Sequence, residues 1–172
     1  EGIVCGGESK GGKHAYMLLE ECVPPVPDIT KDEALARLAR NYFRSHPPAT
    51  LQDFVWWSGL SVTEAKQGIY LIGSELTEEQ WKGQTWYLHD SGRTRGSIKG
   101  HIRFLPPYDE LLLGYKDRTD VLPSEHYSKA FTGNGLFFPV ILYEGQIVGN
   151  WDRKVKRNGC TRGILSSGRK AV

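Results

Sequence analysis

Apolar positions in the first half of the chain recur at three- and four-residue intervals. In "TKDEALARLARNYFRSH", Leu35, Leu38, Ala39, Tyr42 and Phe43 fall on one stripe, and Thr30 followed by Glu33 forms a capping box. This predicts a helix that His46-Pro47-Pro48 ends. In "ATLQDFVWWSGLSVTEAKQGIYLI", Thr50 and Asp53 start a second helix whose inner face is Leu51, Phe54 and Val55, and Ser58-Gly59 turns the chain. Ser61 and Glu64 then open a third, in which Val62, Ala65, Ile69 and Ile72 lie within about 80° of arc.

The rhythm then changes to that of strands. "SELTEEQWKGQTWYLHD" alternates β-formers around a turn at Gly83, so a hairpin follows the three helices, which is the order of a winged helix. "SGRTRGSIKG" reads as an exposed basic loop, "HIRFL" as a strand, and "PPYDELLLGYKDRTDVL" as a helix begun near its prolines and ended at Gly114. "GLFFPVILYEGQIVGNWDRKV" predicts a second hairpin turning at Glu144-Gly145. At the start, "GIVCGGESKGGKHAYMLLEECVPPVP" reads as strand, glycine-rich turn across GGESKGG, strand and proline linker. No GxxxxGK[ST] accompanies those glycines, so they predict a hairpin tip rather than a phosphate cradle.

The expectation is an α+β chain. It comprises a wing-like hairpin and linker at 1–27, a winged helix-turn-helix unit at 28–92, a β-rich unit at 93–155 and a basic tail at 156–172. Because the chain begins with glutamate and is strand-like from its first residues, it reads as part of a longer protein with domains upstream. A hydrophobic content of 39% over 172 residues supplies a core. The longest apolar runs, such as Leu111-Leu112-Leu113, are far too short to span a bilayer, so a soluble, cytoplasmic protein is expected. Three cysteines without CxxC spacing and five scattered histidines predict neither a structural zinc site nor any other metal or cofactor.

Charge adds a polarity that the net value of +2 conceals. Residues 1–90 hold 8 Lys and Arg against 13 Asp and Glu, a net −5, whereas residues 91–172 hold 14 against 7, a net +7. A basic half concentrates a polyanion near one face. Arg93, Arg95, Lys99 and Arg103, extended by Lys154, Lys156 and Arg157, are the candidate phosphate contacts, because backbone neutralisation supplies most nonspecific affinity for a duplex. On the third helix, Thr63, Lys66, Gln67 and Tyr70 share the arc outside the apolar stripe. They suit base-edge reading in a major groove, and equally an ordinary solvated face. Trp57 is expected in the core and Trp56 against a neighbouring domain. Asp109, Glu110, Asp117 and Asp120 cluster in sequence, which fits acid–base or metal chemistry but also helix capping and pairing with Lys116 or Arg118. No HExxH or zinc-deaminase pattern occurs, and no catalytic residue is assigned.

"ATLQDFVWWSGLSVTEAKQGI", "LPPYDELLLGYKDRTDVL" and "GLFFPVILYEGQIVGNW", in this order, resemble the winged-helix DNA-binding family that includes the AlkZ-like DNA glycosylases, over about residues 1–153. The resemblance implies tandem winged-helix units ending in a β-rich domain, curved into a basic channel for double-stranded DNA. It implies repair of alkylated or crosslinked bases by a Gln-apolar-Asp or Gln-apolar-Gln motif. Neither occurs here, since Gln52-Asp53 lacks the spacer and Gln80, Gln84 and Gln146 lead to the wrong third residue. The fragment is therefore expected to grip duplex DNA without being catalytic alone. Tyr108, Asp109, Glu110, Tyr115 and Arg118, in the second matching string, would line the channel or brace it. A protein-interaction or regulatory module anchored by Trp56 is the alternative.

Overall fold

The computed structural model describes residues 3–25, 27–92, 96–156 and 159–165. The chain opens with an antiparallel hairpin, β1 (Val4–Lys10) and β2 (Lys13–Leu18), which runs into one helical turn, α1 (Leu19–Cys22). Two features differ from the sequence expectation. Strand β1 continues through Gly6–Lys10, so the turn contracts to Gly11-Gly12, at φ of 58° and 77°, and the start of the expected linker is helical. Glycine weakens a strand without forbidding it, and the β-forming partner strand completes the ladder. Two successive positive φ angles are what a two-residue hairpin turn requires.

Helix α2 (Lys31–Ser45) starts at the Thr30 box, in which Glu33 accepts from Thr30 N at 3.0 Å and Glu33 N donates to Thr30 Oγ1 at 3.2 Å. A short strand, β3 (Ala49–Thr50), leads into α3 (Leu51–Ser58), which ends at left-handed Gly59, and α4 (Val62–Leu71) follows. All three expected capping boxes form, each removing orphan N–H groups from a helix start. The hairpin β4 (Leu76–Trp81) and β5 (Gln84–His89) turns at Lys82-Gly83, and β3 adds to β5 to give a sheet ordered β3-β5-β4.

Ala39, Tyr42, Phe43, Phe54, Ala65, Ile69 and Ile72 are buried together, with Leu38, Leu51, Val55 and Tyr87 packed around them. Each large apolar side chain withdrawn from water contributes about 1.5–3 kcal/mol. Val62, placed on the inner stripe by periodicity, is 45% exposed at the first position of α4, whose buried residues begin one turn later at Ala65. Gly68 lets those two helices approach: a Cβ there would lie 3.1 Å from Leu35 O and 3.3 Å from Ala39 Cβ.

Arg40 ties α2 to the base of the hairpin. Its Nε and Nη2 donate to the two Glu75 carboxylate oxygens at 2.7 Å each, and His89 Nε2 lies 3.3 Å from the same carboxylate. The Arg40 hydrogen bonds hold the Glu75 carboxyl down at about 2. A carboxyl depressed on folding adds stability above its ordinary value and loses it as pH falls toward the depressed one. Stability is therefore expected to decline between pH ~4.5 and ~2. Glu75→Gln should flatten that decline in denaturation curves taken across the window, and an unchanged profile would remove Glu75 from the account.

The remaining chain forms β6 (Ile102–Leu105), α5 (Glu110–Leu113), α6 (Tyr127–Ala130), β7 (Val140–Tyr143), β8 (Gln146–Lys156) and β9 (Gly159–Leu165). The strands make an antiparallel sheet ordered β6-β7-β8-β9, turning at Glu144-Gly145 between β7 and β8. Leu112, Leu122, Ala130, Val140 and Ile147 form a second buried cluster beneath it. Residues 159–165, expected within a basic tail, instead pair with β8 from Asn150↔Leu165 to Lys156↔Gly159. Glycines and cations mask the strand in sequence, but a long neighbour with an open edge supplies the backbone donors and acceptors. Among the described residues, no helix is long and apolar enough to cross a membrane.

Candidate nucleic-acid interface

Because Ala65, Gly68, Ile69 and Ile72 turn inward, the opposite face of α4 turns out. Thr63, Lys66, Gln67 and Tyr70 are all exposed there, Tyr70 to 80%. Glu64, at the edge of this face, is engaged by Lys31 Nζ at 2.8 Å and by the Ser61 cap, and these bonds hold its carboxyl at about 2. The acidic residue nearest the face is thus already neutralised by a cation from α2.

Of the basic run, Arg93 and Arg95 lie outside the described residues, as does Arg157. Lys99 and Arg103 are exposed. The loop before β6 is tied to the sheet at two points: Gly100 N donates to Glu144 Oε1 at 2.7 Å, and Glu144 N donates to His101 O at 3.1 Å. Lys99 therefore projects from a loop anchored to the β7–β8 turn. Lys154 and Lys156 belong to the backbone of β8, and their side chains lie outside what is described.

The stretch 106–122 has a different placement. Asp109 caps α5 by accepting from Leu111 N at 3.0 Å. The Glu110 carboxylate lies 3.4 Å from His46 Nε2, and the Tyr115 ring meets the His46 ring edge-on at 5.6 Å. Burial pushes the Tyr115 phenol up to about 12. Arg118 is buried, with Nε donating to Leu112 O and its guanidinium between the Trp56 and Phe131 rings at 5.7 and 5.4 Å. Desolvation lowers its proton affinity, but a guanidinium remains charged, and the nearby Asp53 and Asp117 carboxylates, with the two aromatic faces, favour that charge. Tyr108 differs from the other four: it is half exposed at a positive φ of 60°, its ring 5.8 Å from Phe137. Glu110, Tyr115 and Arg118 thus form a brace to His46 and Trp56 of the helical unit, whereas Asp109 caps its own helix and Tyr108 meets Phe137.

Three residues essential to that brace carried no long-range signal in sequence. Tyr42 donates its hydroxyl to Gly114 O at 2.8 Å, and burial raises its phenol far above the ordinary value. His46 stacks on Tyr42 at 4.6 Å, close enough to Gly114 that a Cβ there would fall 2.5 Å from the imidazole. Asp53 is buried and fully used: one carboxylate oxygen accepts from Thr50 N at 2.9 Å and Thr50 Oγ1 at 2.7 Å, the other from Lys116 N at 2.8 Å. The one visible hint was Asp in place of Glu in the capping box. The box uses one carboxylate oxygen, and the second accepts from Lys116 N. Asp53→Ala would strand these donors, and is expected to cost about 2–3 kcal/mol in urea unfolding. A loss under about 0.5 kcal/mol, the usual range of an exposed substitution, would contradict this account.

Trp57 is half-buried, 5.0 Å from Tyr42, as expected of a core residue. Trp56 is 55% exposed and receives Arg118 from the sheet unit, so it does contact the neighbouring unit of its own chain. The carboxylates that clustered in sequence do not converge: Asp109 caps a helix, Asp117 accepts from Thr119 N and Oγ1, and Asp120 pairs with Lys82. The Thr119 bonds hold the Asp117 carboxyl below its ordinary range. Among the described residues, no group of three or more His, Cys, Asp or Glu is placed to hold a metal ion. An open cleft of about 670 Å³ separates α3 from the β4–β5 hairpin, lined by Gln52, Lys82, Gln84, Trp86, Lys116 and Asp117 among others. Its cations are engaged at the walls, Lys82 with Asp120 and Lys116 with Gln52.

These features define a mixed α/β protein of small antiparallel sheets and a three-helix unit, internally braced, with polar and cationic side chains on its outer surfaces. The family model described as DNA glycosylase AlkZ-like matches residues 2–166, and the chain belongs to that family. It is 27% identical over 164 residues to an interstrand DNA cross-link repair glycosylase of Streptomyces sahachiroi, a match spanning 88% of this chain and 43% of that protein. The solved structure of Streptomyces sahachiroi DNA glycosylase AlkZ superposes with a TM-score of 0.79 at 23% identity, covering 99% of this chain and 48% of that one. The chain thus spans under half the length of the relatives it matches, and the structural likeness establishes the fold.

Proposed function

We propose that this chain is a duplex-DNA-gripping part of a glycosylase-like repair protein. In this reading residues 28–92 are a winged helix, with α4 as the groove-facing helix and β4–β5 as the wing. The β-rich unit from residue 93 onward carries the phosphate contacts. The observation that carries the proposal is the α4 face, where four donor or acceptor side chains stand exposed beside a carboxylate already paired with Lys31. The net +7 of the second half supplies the long-range attraction. The hairpin β1–β2 is assigned to a preceding unit, and base excision to a part of the protein holding the Gln-apolar-Asp motif that this chain lacks. The rival role of Trp56 as an anchor for another protein is weakened by Arg118, which occupies part of its ring surface.

Equilibrium binding to a labelled duplex, followed by anisotropy between 50 and 200 mM salt, tests the reading. The logarithm of the association constant should fall linearly with the logarithm of salt, with a slope of about −0.9 per phosphate contacted. Binding that ignores salt, or no binding at 50 mM, would overturn it.

A further inference from the structure

The β4–β5 hairpin is pinned at its base and narrow at its tip. Arg40 and His89 engage Glu75 at the foot of β4, and β3 pairs with β5 at Ala49↔Tyr87 and Thr50↔Trp86. Past Trp86 the hairpin continues as a two-stranded ribbon, through Gln80↔Thr85 and Trp81↔Gln84, to the Lys82-Gly83 turn. Two strands alone are marginally stable in water, so the tip takes its position from what it touches. There, Lys82 Nζ stands 4.2 Å over the Trp81 ring and pairs with the Asp120 carboxylate of the sheet unit. Asp120 is itself held in place: Gln146 Nε2 donates to its carbonyl at 2.7 Å, Ile147 N donates to Val121 O at 2.8 Å, and Leu122 is buried. The tip is therefore drawn onto a fixed post, beside the open cleft that both residues line.

Building on the assignment of β4–β5 as a DNA-facing wing, we propose that Lys82 is a phosphate-binding residue gated by Asp120. In the free chain the Asp120 carboxylate takes the place of a phosphate oxygen at the wing-tip ammonium. On a duplex, a backbone phosphate replaces it and the ribbon swings off the sheet unit. Both side chains of the pair are about half exposed, at 56% and 47%, and an ion pair so well hydrated is weak enough to exchange. The released Asp120 remains solvated. Trp81 travels with Lys82 because both belong to the tip, so the ring presents the ammonium to either anion. The contact with Asp120 thus restrains binding, unlike the brace around His46, which supports it.

Anisotropy titrations of a labelled duplex with the full chain, between about 50 and 200 mM salt, test the gate in Asp120→Asn, Lys82→Ala and the double variant. Asp120→Asn should bind roughly two- to fivefold tighter, the range of an exposed ion pair, with its salt slope unchanged because the number of phosphate contacts is the same. Lys82→Ala should lose about 0.9 from the slope. In the Lys82→Ala background, Asp120→Asn should bring no gain. A gain that persists there would be a general effect of charge and would overturn the gate, as would Asp120→Asn without a gain or Lys82→Ala with an unaltered slope. Absent or salt-independent binding by the unsubstituted chain would instead overturn the duplex reading, and the gate with it. Amide exchange at Gln80–Gln84 reads the restraint without DNA. It should quicken in Asp120→Asn, and an equal rate would show that Asp120 does not hold the tip.

Discussion

Tyr42→Ala is expected to lower the free energy of unfolding by about 4 kcal/mol, in the range typical of deleting a buried aromatic ring. Tyr42 is fully buried at the point where four rings meet: Phe43 at 5.1 Å, Phe54 at 5.1 Å, His46 at 4.6 Å and Trp57 at 5.0 Å. Its removal leaves a cavity that helices held by three capping boxes cannot collapse to fill. For a chain of this size the loss corresponds to roughly 10 °C or more in Tm. Tyr42→Phe separates the ring from the hydroxyl. It keeps the packing and leaves Gly114 O without its donor, and should cost about 1–2 kcal/mol. Urea titrations of both variants decide the matter: a neutral Tyr42→Phe would mean that the bond to Gly114 does not help hold the two units together.

The second large effect is on binding. Replacing Arg93, Arg95 and Lys99 with alanine together should weaken duplex affinity on the order of 10²-fold near 0.1 M salt and reduce the salt slope by about 2.7, at ~0.9 for each lost phosphate contact. Sequence-dependent differences should persist, because phosphate contacts position the protein and base contacts specify. Affinity and slope equal to those of the unsubstituted chain would remove residues 93–99 from the interface. In contrast, Thr63→Ala with Gln67→Ala should reduce discrimination between duplex sequences while leaving the slope intact if α4 reads base edges.

The two kinds of variant probe different layers of the molecule. Tyr42, His46, Asp53 and Arg118 hold the helical unit and the sheet unit in one relative position, whereas Lys66, Lys99 and Arg103 project outward. The second matching string is the clearest instance. Asp109, Glu110, Tyr115 and Arg118 are candidate channel residues by resemblance, and in the structure Asp109 caps its own helix while Glu110 and Tyr115 meet His46 and Arg118 meets Trp56. Loss of such a residue would disturb binding by shifting the basic loop relative to α4, and would show as lowered stability as well as lowered affinity.

The sequence by itself determined the features whose partners lie within a few residues. Thr30 with Glu33, Thr50 with Asp53 and Ser61 with Glu64 announce helix starts because each cap closes over three positions. Lys82-Gly83 and Glu144-Gly145 announce hairpins because the turn alone sets their φ angles. Only the tertiary structure decided the rest. Nothing local tells that Asp53 will reach Lys116, that Tyr42 will reach Gly114, or that Arg118 will settle between Trp56 and Phe131. The continuation of β1 through Gly6–Lys10 and the strand β9 arose for the same reason. Their backbone groups needed partners, and the partners came from neighbouring strands rather than from their own side chains.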